Sequence, residues 1–296
     1  MTLIESFLKY LSLEKKYSIH TVTSYKTDLI SFKNYLEEEF EINTLVKVHY
    51  VQIRSWIIVL VGQGISNRTI NRKISALKSF YKFLLKTKSI SDNPLQKHIP
   101  LKVPKRINVP FNQKEINLVI DNLEESKDFV SLRNRLIVEL FYATGMRRAE
   151  LINIKMTDVD MRQCVVKVLG KRNKERYIPL LKIVIVTLKE YLNVRQEYSQ
   201  ENDYLFITKK GNKIYGTLVY RVINSYFSTV SSKVKKSPHV IRHSFATHLL
   251  NEGADLNAVK ELLGHASLAS TQVYTSSSLK ELKNVYNRTH PRGSKK

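Results

Sequence analysis

The sequence predicts a mainly α-helical protein with an N-terminal helical domain and a C-terminal mixed α+β domain that holds a small antiparallel sheet. Apolar residues recur at three- and four-residue steps through most of the chain, as in amphipathic helices. One pair of short alternating runs surrounds a polar turn, which is the pattern of a β-hairpin. A proline-rich segment near residue 100 interrupts both patterns and indicates a division into two domains.

That segment, KSISDNPLQKHIPLKVPKRINVP, sets the domain boundaries. It holds four of the seven prolines, is basic and shows no apolar periodicity. Such a composition is typical of an inter-domain linker. We therefore expect the N-terminal domain at residues 1–88, the linker at 89–110 and the C-terminal domain at 111–296.

Two helices stand out in the N-terminal domain. Residues 18–40 carry an apolar stripe from Val22 to Leu36, with Ser18 as a candidate N-cap. The segment SNRTINRKISALKSFYKFLLK has an apolar stripe formed by Ile70, Ile74, Leu77, Tyr81 and Leu84. Its basic and hydroxylic face holds Arg68, Arg72, Ser75 and Ser79, with Lys78 and Lys82 near the edge. Such a face can enter a DNA major groove, but a solvated helix face has the same composition.

The C-terminal domain is expected to mix helices with a few strands. KEINLVIDNLEES and LRNRLIVELFYATG have helical spacing, and CVVKVLGKRNKERYIPL reads as a hairpin. YLFITKKG is a possible third strand, and helical spacing returns from about residue 217.

Composition points to a globular protein whose partner is a polyanion. Hydrophobic residues make up 43% of the 296 residues and charged residues 25%. The apolar runs are too short to span a bilayer and the N-terminus is unlike a signal peptide, so no membrane partner is expected. The lone Cys164 suits a reducing cytoplasm. A formal charge of +23, spread along the chain, favours a broad contact with nucleic acid.

A set of basic residues and one tyrosine suggests chemistry on a phosphate. Each is weak by itself, because helix-end arginines, hairpin lysines and single histidines are usually structural or solvated. Together, arginine, lysine and histidine supply hydrogen-bond donors for phosphate oxygens, and tyrosine supplies a nucleophile. The candidates are Arg147 after FYATGM, Lys171 in the hairpin turn, His239 and Arg242 in PHVIRHSFATHLL, His265 after Gly264, and Tyr274.

A tyrosine nucleophile needs cationic neighbours. With a pKa near 10, only about 0.1% of a phenol is ionised at pH 7, a penalty of roughly 4 kcal/mol. Each well-aimed donor to the transition-state oxygens contributes on the order of 3 kcal/mol. Several donors in one pocket can therefore support the reaction without a metal ion.

Metal and nucleotide motifs are missing from the sequence. His239 and His243 are four residues apart, but the glutamate of the HExxH pattern is absent. There are no cysteine pairs for zinc and no acidic cluster near these motifs for magnesium. No Walker A sequence occurs either, so we expect no metal, no cofactor and no ATP-driven motor.

The motifs TGMRRAEL, LGKRNKER, HVIRHSFATHLL, LLGHASLASTQVYT and HPRG occur in this order. In this series the chain resembles the tyrosine site-specific recombinases of the phage-integrase family, and most of all the Xer group. The likeness extends over the whole chain, including TVTSYKTDL and TINRKISALKSFYKFL near the N-terminus.

The resemblance implies a mechanism. Tyr274 would attack a DNA phosphodiester, leaving a 3′-phosphotyrosyl enzyme and a free 5′-hydroxyl. Lys171 would protonate the leaving 5′-oxygen, and His239 would assist the proton transfer from the tyrosine. The covalent link would keep the free energy of the phosphodiester, so that rejoining needs neither ATP nor a divalent ion.

The resemblance also assigns the phosphate ligands. Arg147 and Arg242 would clamp the non-bridging oxygens, and His265 would donate a hydrogen bond to the phosphate. Glu150 matches an acidic position that supports the arginine.

The fold and partners implied by the resemblance are specific. An N-terminal four-helix, SAM-like core-binding domain and a C-terminal catalytic domain would clamp double-stranded DNA, with Thr21, Ser24, Arg68, Arg72 and Lys78 as candidate contacts. The segment SLKELKNVYNRTH would dock on a neighbouring protomer. The active form would be a tetramer on two duplexes, made with itself or with a paralogous recombinase. A DNA translocase would activate it, in the cytoplasm at the nucleoid.

This chain departs from the family pattern at three positions. The hairpin turn reads GKR where GKG is usual, which puts Arg172 in place of glycine and leaves Lys174 as a rival to Lys171. In TGMRRAEL, Arg148 is the alternative to Arg147. Ser276 stands where a histidine is common.

Four functions remain open at this point. The first is a recombinase that resolves chromosome dimers at a dif-like site, and the second is an integrase or transposase of a mobile element. A type IB topoisomerase-like enzyme uses similar phosphate chemistry. A DNA-binding protein without turnover is the alternative of a different class, against which the full set of catalytic residue types argues.

Overall fold

Helices dominate both units of the chain. A computed structural model describes residues 2–104, 109–123, 127–170, 175–198, 202–233, 235–264 and 276–293. It divides into two compact units, Met1–Arg106 and Ile107–Lys296. The predicted fold class, helical followed by mixed α+β, is confirmed.

The first unit is built from amphipathic helices around an aromatic core. They are α1 (Leu3–Leu13), α2 (Ile19–Phe40), α3 (Tyr50–Gly62) and α4 (Asn67–Lys86). The whole predicted stripe of α4 is buried, and α2 begins after Ser18, whose side chain accepts a hydrogen bond from the Thr21 N–H. Phe32 and Trp56 pack with ring centroids 4.9 Å apart at the centre of the core.

Part of the segment expected to be a linker belongs to this unit. The Asn71 side chain donates to the Leu101 carbonyl at 2.8 Å and accepts from the Leu101 N–H at 2.9 Å. Asn67 donates to the Lys102 carbonyl at 2.8 Å. Two amide side chains of α4 therefore hold the chain as far as Lys102, well beyond residue 88.

The second unit wraps its helices around one buried helix. Its helices are α5 (Gln113–Asn122), α6 (Phe129–Thr144), α7 (Arg148–Asn153), α8 (Lys182–Arg195), α9 (Gly216–Val230), α10 (Pro238–Asn251), α11 (Leu256–Leu263) and α12 (Ser276–Thr289). Helix α6 is buried over most of its surface and packs chiefly against α8 and α10. Its apolar sequence, read above as helical, thus forms the centre of the core.

The predicted hairpin is present, but the third strand differs from expectation. The sheet contains β1 (Val159–Asp160), β2 (Val165–Leu169) and β3 (Glu175–Pro179), antiparallel in the order β1-β2-β3. The run YLFITKKG does not join this sheet and makes only isolated bridges at Tyr204 and Ile207. Its central residues, Leu205 to Ile207, are buried consecutively, whereas a strand with one solvated face buries alternate residues.

The described residues include no helix that has both the length and the apolar character needed to cross a bilayer.

Two glycines end α6 and α11 in the left-handed region, Gly145 with φ 57° and Gly264 with φ 62°. A Cβ at position 145 would lie 2.4 Å from Phe245 Cδ1 and 2.8 Å from Leu263 Cδ2. Position 145 therefore requires a residue without a side chain that also tolerates a left-handed backbone conformation, because α6, α10 and the end of α11 meet there.

We expect Gly145→Ala to lower the free energy of unfolding of the second unit by about 2–5 kcal/mol, the sum of left-handed strain and overpacking. Urea unfolding monitored by circular dichroism measures the change. Gly253→Ala is the matched control, because Gly253 has φ 84° but open space around it, so only the strain of about 1–2 kcal/mol applies. If Gly145→Ala and Gly253→Ala lowered the free energy of unfolding equally, close packing at Gly145 would make no contribution.

Candidate active site

Two helix ends form the floor of the candidate site. The last carbonyls of a helix have no partner within the helix, and its C-terminus carries a partial negative charge. The ends of α6 and α11 meet through the packing of Gly145 against Leu263. Their carbonyls are therefore a natural place for cationic side chains.

Arg242 joins the two helix ends. From α10, its Nη1 donates to the Gly145 carbonyl at 2.5 Å and its Nη2 to the Leu263 carbonyl at 2.7 Å. Burial, and then the nearby charge of Arg147, lower the pKa of Arg242 to about 10. The guanidinium thus stays charged at neutral pH while it is poorly solvated, which strengthens its attraction for an anion.

Arg147 reaches the same place from the N-cap of α7. Its backbone N–H donates to Glu150 Oε2 at 2.7 Å, and its guanidinium donates to Glu150 Oε1 at 2.8 Å and to the Gly264 carbonyl at 3.3 Å. The side chain is 35% exposed. It is therefore fixed on one side and open to a ligand on the other.

Glu150 is shared with a second arginine that the sequence analysis missed. Arg176 of β3 donates to both Glu150 oxygens, at 3.0 and 2.9 Å, and its Nε donates to the Leu262 carbonyl at 3.0 Å. Glu150 is 5% exposed and Arg176 6%. The signal was the alternation of β3, in which Arg176 shares the inward face with Ile178.

Gly264 adapts α11 to this arginine. A Cβ at position 264 would lie 3.0 Å from Arg176 Nη1 and 3.1 Å from its Cζ. Glycine thus serves the left-handed turn and leaves room for the guanidinium.

The charge balance around Glu150 keeps it ionised. Burial alone would raise its pKa, but the hydrogen bonds and charge of Arg176, and then the contacts from Arg147, outweigh burial and lower the pKa. The carboxylate is therefore a fixed anion between two cations.

His239 lies on α10 three residues before Arg242, as predicted, and is exposed. Burial of part of the ring, and then the charges of Arg148 and Arg242, lower the pKa of His239 from its ordinary value of 6.5. The neutral imidazole, which can accept a proton, is thus favoured at physiological pH.

Arg148, the alternative to Arg147, has a different backbone partner. It donates to the Gly216 carbonyl at the start of α9 at 3.4 Å and is exposed. Of the two adjacent arginines, Arg147 is the one that contacts Glu150 and the end of α11.

Three of the predicted catalytic residues, Lys171, His265 and Tyr274, lie outside the described residues, as do Arg172 and Lys174. The described neighbours of these segments are β2, β3, Gly264 and α12. The structure thus brings Arg147 and Arg242 together beside the point where residues 265–275 follow α11.

No group of three or more metal-ligating side chains occurs in the part of the chain that the structure describes. His243 is exposed on α10, whereas His248 is buried and hydrogen-bonded through Nδ1 to the Tyr142 hydroxyl at 2.9 Å. His248 therefore has a structural partner.

Near the C-terminus, Tyr286 of α12 and His290 of the HPRG motif are buried against α6. Tyr286 of α12 is fully buried and donates to the Ala143 carbonyl at 2.8 Å. His290 donates from Nε2 to the Tyr142 carbonyl at 3.2 Å and accepts from the Arg292 N–H. Burial lowers the pKa of His290 to about 4, so it is neutral. Docking of the segment SLKELKNVYNRTH on a neighbouring protomer stays a prediction, and within this chain Tyr286 and His290 bind α6.

Two of the predicted DNA contacts in the first unit form one cluster. Arg72 Nη1 donates to Ser24 Oγ and to Asp28 Oδ2, both at 2.5 Å. Asp28 is 1% exposed and also lies 3.3 Å from Lys73 Nζ. Arg72 is thus held in one orientation by a buried carboxylate. The other predicted contacts are half-buried or exposed, namely Thr21, Arg68 and Lys78.

Comparison with known proteins identifies the family to which this chain belongs. The phage integrase family profile matches residues 110–281, and that of the phage integrase N-terminal SAM-like domain matches residues 4–88. The chain belongs to the phage integrase family and is a tyrosine recombinase, as the motifs indicated.

Within that family the chain is similar to the Xer group. It is 39% identical to the tyrosine recombinase XerC of Bacillus subtilis, over 99% of this chain and 97% of that protein. It is 39% identical to XerC of Anoxybacillus flavithermus, over 97% and 96% of the two chains. A crystal structure of XerH site-specific recombinase bound to difH substrate matches with a TM-score of 0.70 and 25% identity, over 97% of this chain and 82% of that one.

We expect Glu150→Gln to lower the free energy of unfolding by about 3–5 kcal/mol at pH 7, because two guanidiniums lose their carboxylate. The folded-state pKa of Glu150 lies below the ordinary 4.5, so the stabilisation is complete above pH 4.5 and fades as the pH falls through the folded-state value. Urea unfolding between pH 3 and 7 should show the two proteins converging below pH 4.5.

The matched control for this prediction is Glu190→Gln. The Glu190 side chain is 39% exposed and lies 3.9 Å from the Arg135 guanidinium, so its loss should change stability by less than about 1 kcal/mol. A difference between wild type and Glu150→Gln that stays constant with pH would contradict the pKa assignment.

We expect an NMR titration to give His239 a pKa below 6.5, and Arg148→Gln to raise it, because Arg148 is the charged neighbour that lowers the pKa of His239 most. The His239 resonance is identified by its loss in His239→Gln. Arg221→Gln should leave the value unchanged, since Arg221 bonds to Tyr215 instead. A pKa at or above 6.5, or one insensitive to Arg148, would refute the electrostatic account.

Proposed function

We propose that this recombinase cuts and rejoins DNA through a 3′-phosphotyrosyl link at Tyr274 and that it resolves chromosome dimers at a dif-like site. One observation carries the proposal: Arg147 and Arg242 converge on the carbonyl ends of α6 and α11, where residues 265–275 begin. A phosphodiester at this point would lie within reach of both guanidiniums and next to the segment that contains the tyrosine.

The charge of the site suits a phosphate. Among the described residues, the guanidiniums of Arg147 and Arg176 bind the one carboxylate, Glu150, and the guanidinium of Arg242 lies near enough to feel its charge. These three positive charges exceed the one negative charge of Glu150. The hydrogen bonds of Arg242 described above go to backbone carbonyls, which carry only partial negative charges. A phosphodiester anion would offset the excess positive charge more fully, and the same donors would stabilise the charge that develops in the transition state.

The proposed reaction balances without a co-reactant. The Tyr274 oxygen forms a bond to phosphorus while the bond from phosphorus to the 5′-oxygen breaks. His239, whose lowered pKa keeps it neutral, takes the tyrosine proton, and Lys171 gives a proton to the leaving 5′-oxygen. His265 donates to the phosphate. Attack by a 5′-hydroxyl of another duplex reverses the step and restores a phosphodiester.

The DNA partner is supported by charge and by relatives. The formal charge is +23, and the first unit presents a basic face on α4. XerH has been crystallised with its difH substrate. We propose a tetramer on two duplexes, acting with itself or a paralogue, at the nucleoid in the cytoplasm, with a DNA translocase as activator.

Chromosome dimer resolution is favoured over a mobile-element role by the near full-length similarity to XerC proteins. The Tn1549 transposon integrase, in complex with circular intermediate DNA, matches with a TM-score of 0.70 but 21% identity, which supports the fold alone. A type IB topoisomerase-like or a non-catalytic role has no specific observation in its favour.

The test uses a duplex selected from a random library by its binding to Tyr274→Phe. The selected site is nicked near the cleavage point, labelled and incubated with wild-type protein in EDTA. We expect a covalent protein–DNA band with the wild type and none with Tyr274→Phe, although both bind the duplex. Arg242→Ala should lose the band and keep much of its affinity, since other phosphate contacts remain.

Tyr198→Phe is the matched control. Tyr198 stacks on Phe129 with ring centroids 4.2 Å apart, and its variant should form the adduct like wild type. Absence of an adduct with the wild type, or an adduct with Tyr274→Phe, would overturn the proposed chemistry. The selected site should also occur in the host chromosome outside any mobile element.

A further inference from the structure

Arg176 is a buried arginine whose three nitrogen atoms all donate to protein acceptors. Nη1 and Nη2 bind the two oxygens of Glu150, and Nε binds the Leu262 carbonyl. With 6% of the residue exposed, the guanidinium has no face left for DNA. Any part it has in the reaction must pass through the groups it holds.

Stability alone does not account for an arginine at this position. Removing a guanidinium from water is costly, and well-packed apolar residues often replace a buried ion pair with no loss of stability. The next inward residue of β3 is Ile178, which is fully buried. An aliphatic residue at position 176 would pack on the same face of β3. Only an arginine, however, can bind both Glu150 oxygens and the Leu262 carbonyl at once.

Those contacts lead to both phosphate-clamping arginines. Through Glu150, Arg176 fixes the carboxylate that binds the backbone and the guanidinium of Arg147. Through the Leu262 carbonyl, it fixes the end of α11, where Leu263 accepts from Arg242.

Arg176 also connects the sheet to this cluster. It is the second residue of β3, which begins at Glu175, immediately after the segment 171–174 that contains Lys171. β3 is paired with β2 over its whole length, from Glu175 to Pro179. One guanidinium thus ties the hairpin, α7 and α11 into a single frame.

We propose that Arg176 is a positioning residue for DNA cleavage: it sets the spacing between Arg147, Arg242 and the hairpin without touching the phosphate. The inference rests on the function proposed above. Because a displacement of about 1 Å in a clamping group can cost 10²-fold in rate, loss of the frame should slow the chemical step far more than it weakens DNA binding.

The experiment measures single-turnover cleavage of the nicked duplex and DNA affinity separately, for the full chain. We expect Arg176→Ala to lower the cleavage rate constant about 10²-fold while the Kd changes less than about threefold. Arg176→Lys keeps the charge but cannot hold both Glu150 oxygens and the Leu262 carbonyl, so it should recover part of the rate. It also keeps the test possible if the alanine variant does not fold.

Arg195→Ala is the matched control. Arg195 is equally buried and binds the carbonyls of Leu205, Asn202 and Tyr204, away from the arginine cluster. Its variant should be destabilised and yet cleave at about the wild-type rate once folded. The comparison of Arg195→Ala with Arg176→Ala therefore separates the effect of losing any buried arginine from the effect of losing the contacts that join the hairpin, α7 and α11.

A double-mutant cycle tests the route of action. In an Arg147→Lys background, substitution of Arg176 should lower the rate by a smaller factor than in wild type, because the part of its effect that passes through Glu150 and Arg147 is already lost. Cleavage within threefold of wild type in both Arg176 variants would overturn the proposal, as would an undiminished effect in the Arg147→Lys background. Either result leaves the Tyr274 adduct of the wild type intact, so it is distinct from failure of the proposed function.

Discussion

Glu150 lies between two guanidiniums, and the geometry of the candidate site depends on this carboxylate. It binds the backbone and side chain of Arg147 on one side and both terminal nitrogens of Arg176 on the other. A buried carboxylate is costly unless every lone pair finds a donor, and here the donors come from α7 and β3. Two parts of the chain that are 26 residues apart are thereby joined at a point where neither could hold its charge alone.

The helix ends explain how so many cations can be gathered in one place. Gly145 and Gly264 each turn the chain into the left-handed region, which leaves the terminal carbonyls of α6 and α11 facing the arginines. Carbonyl dipoles hold guanidiniums without neutralising them, so the cluster keeps an excess of positive charge. A cluster of this kind has its donors in place before any anion binds, which reduces the reorganisation that binding an anion would require.

The C-terminal part of α12 and the residue that follows it also bind α6. Tyr286 and His290 bind the Ala143 and Tyr142 carbonyls of α6, the same helix whose end holds Arg242. Helix α6 therefore binds both Arg242, which precedes the segment with Tyr274 in the chain, and Tyr286 and His290, which follow it. Because α6 is buried over most of its surface, it is a rigid element on which to build such a site.

The sequence by itself determined the helical class, the hairpin, the α4 stripe and the family, because periodicity and motif order depend on neighbouring residues along the chain. It also placed Arg147 and Arg242 by their register in the motifs. It missed Arg176, and it took YLFITKKG for a strand, because a buried arginine and a consecutively buried run acquire their roles from residues distant in the chain. Only the tertiary structure shows that the Arg147 guanidinium binds Glu150 and the end of α11 whereas the Arg148 guanidinium binds the Gly216 carbonyl. Local pattern fixes which face of an element is buried, whereas the partners of a buried charge are set by how the elements pack.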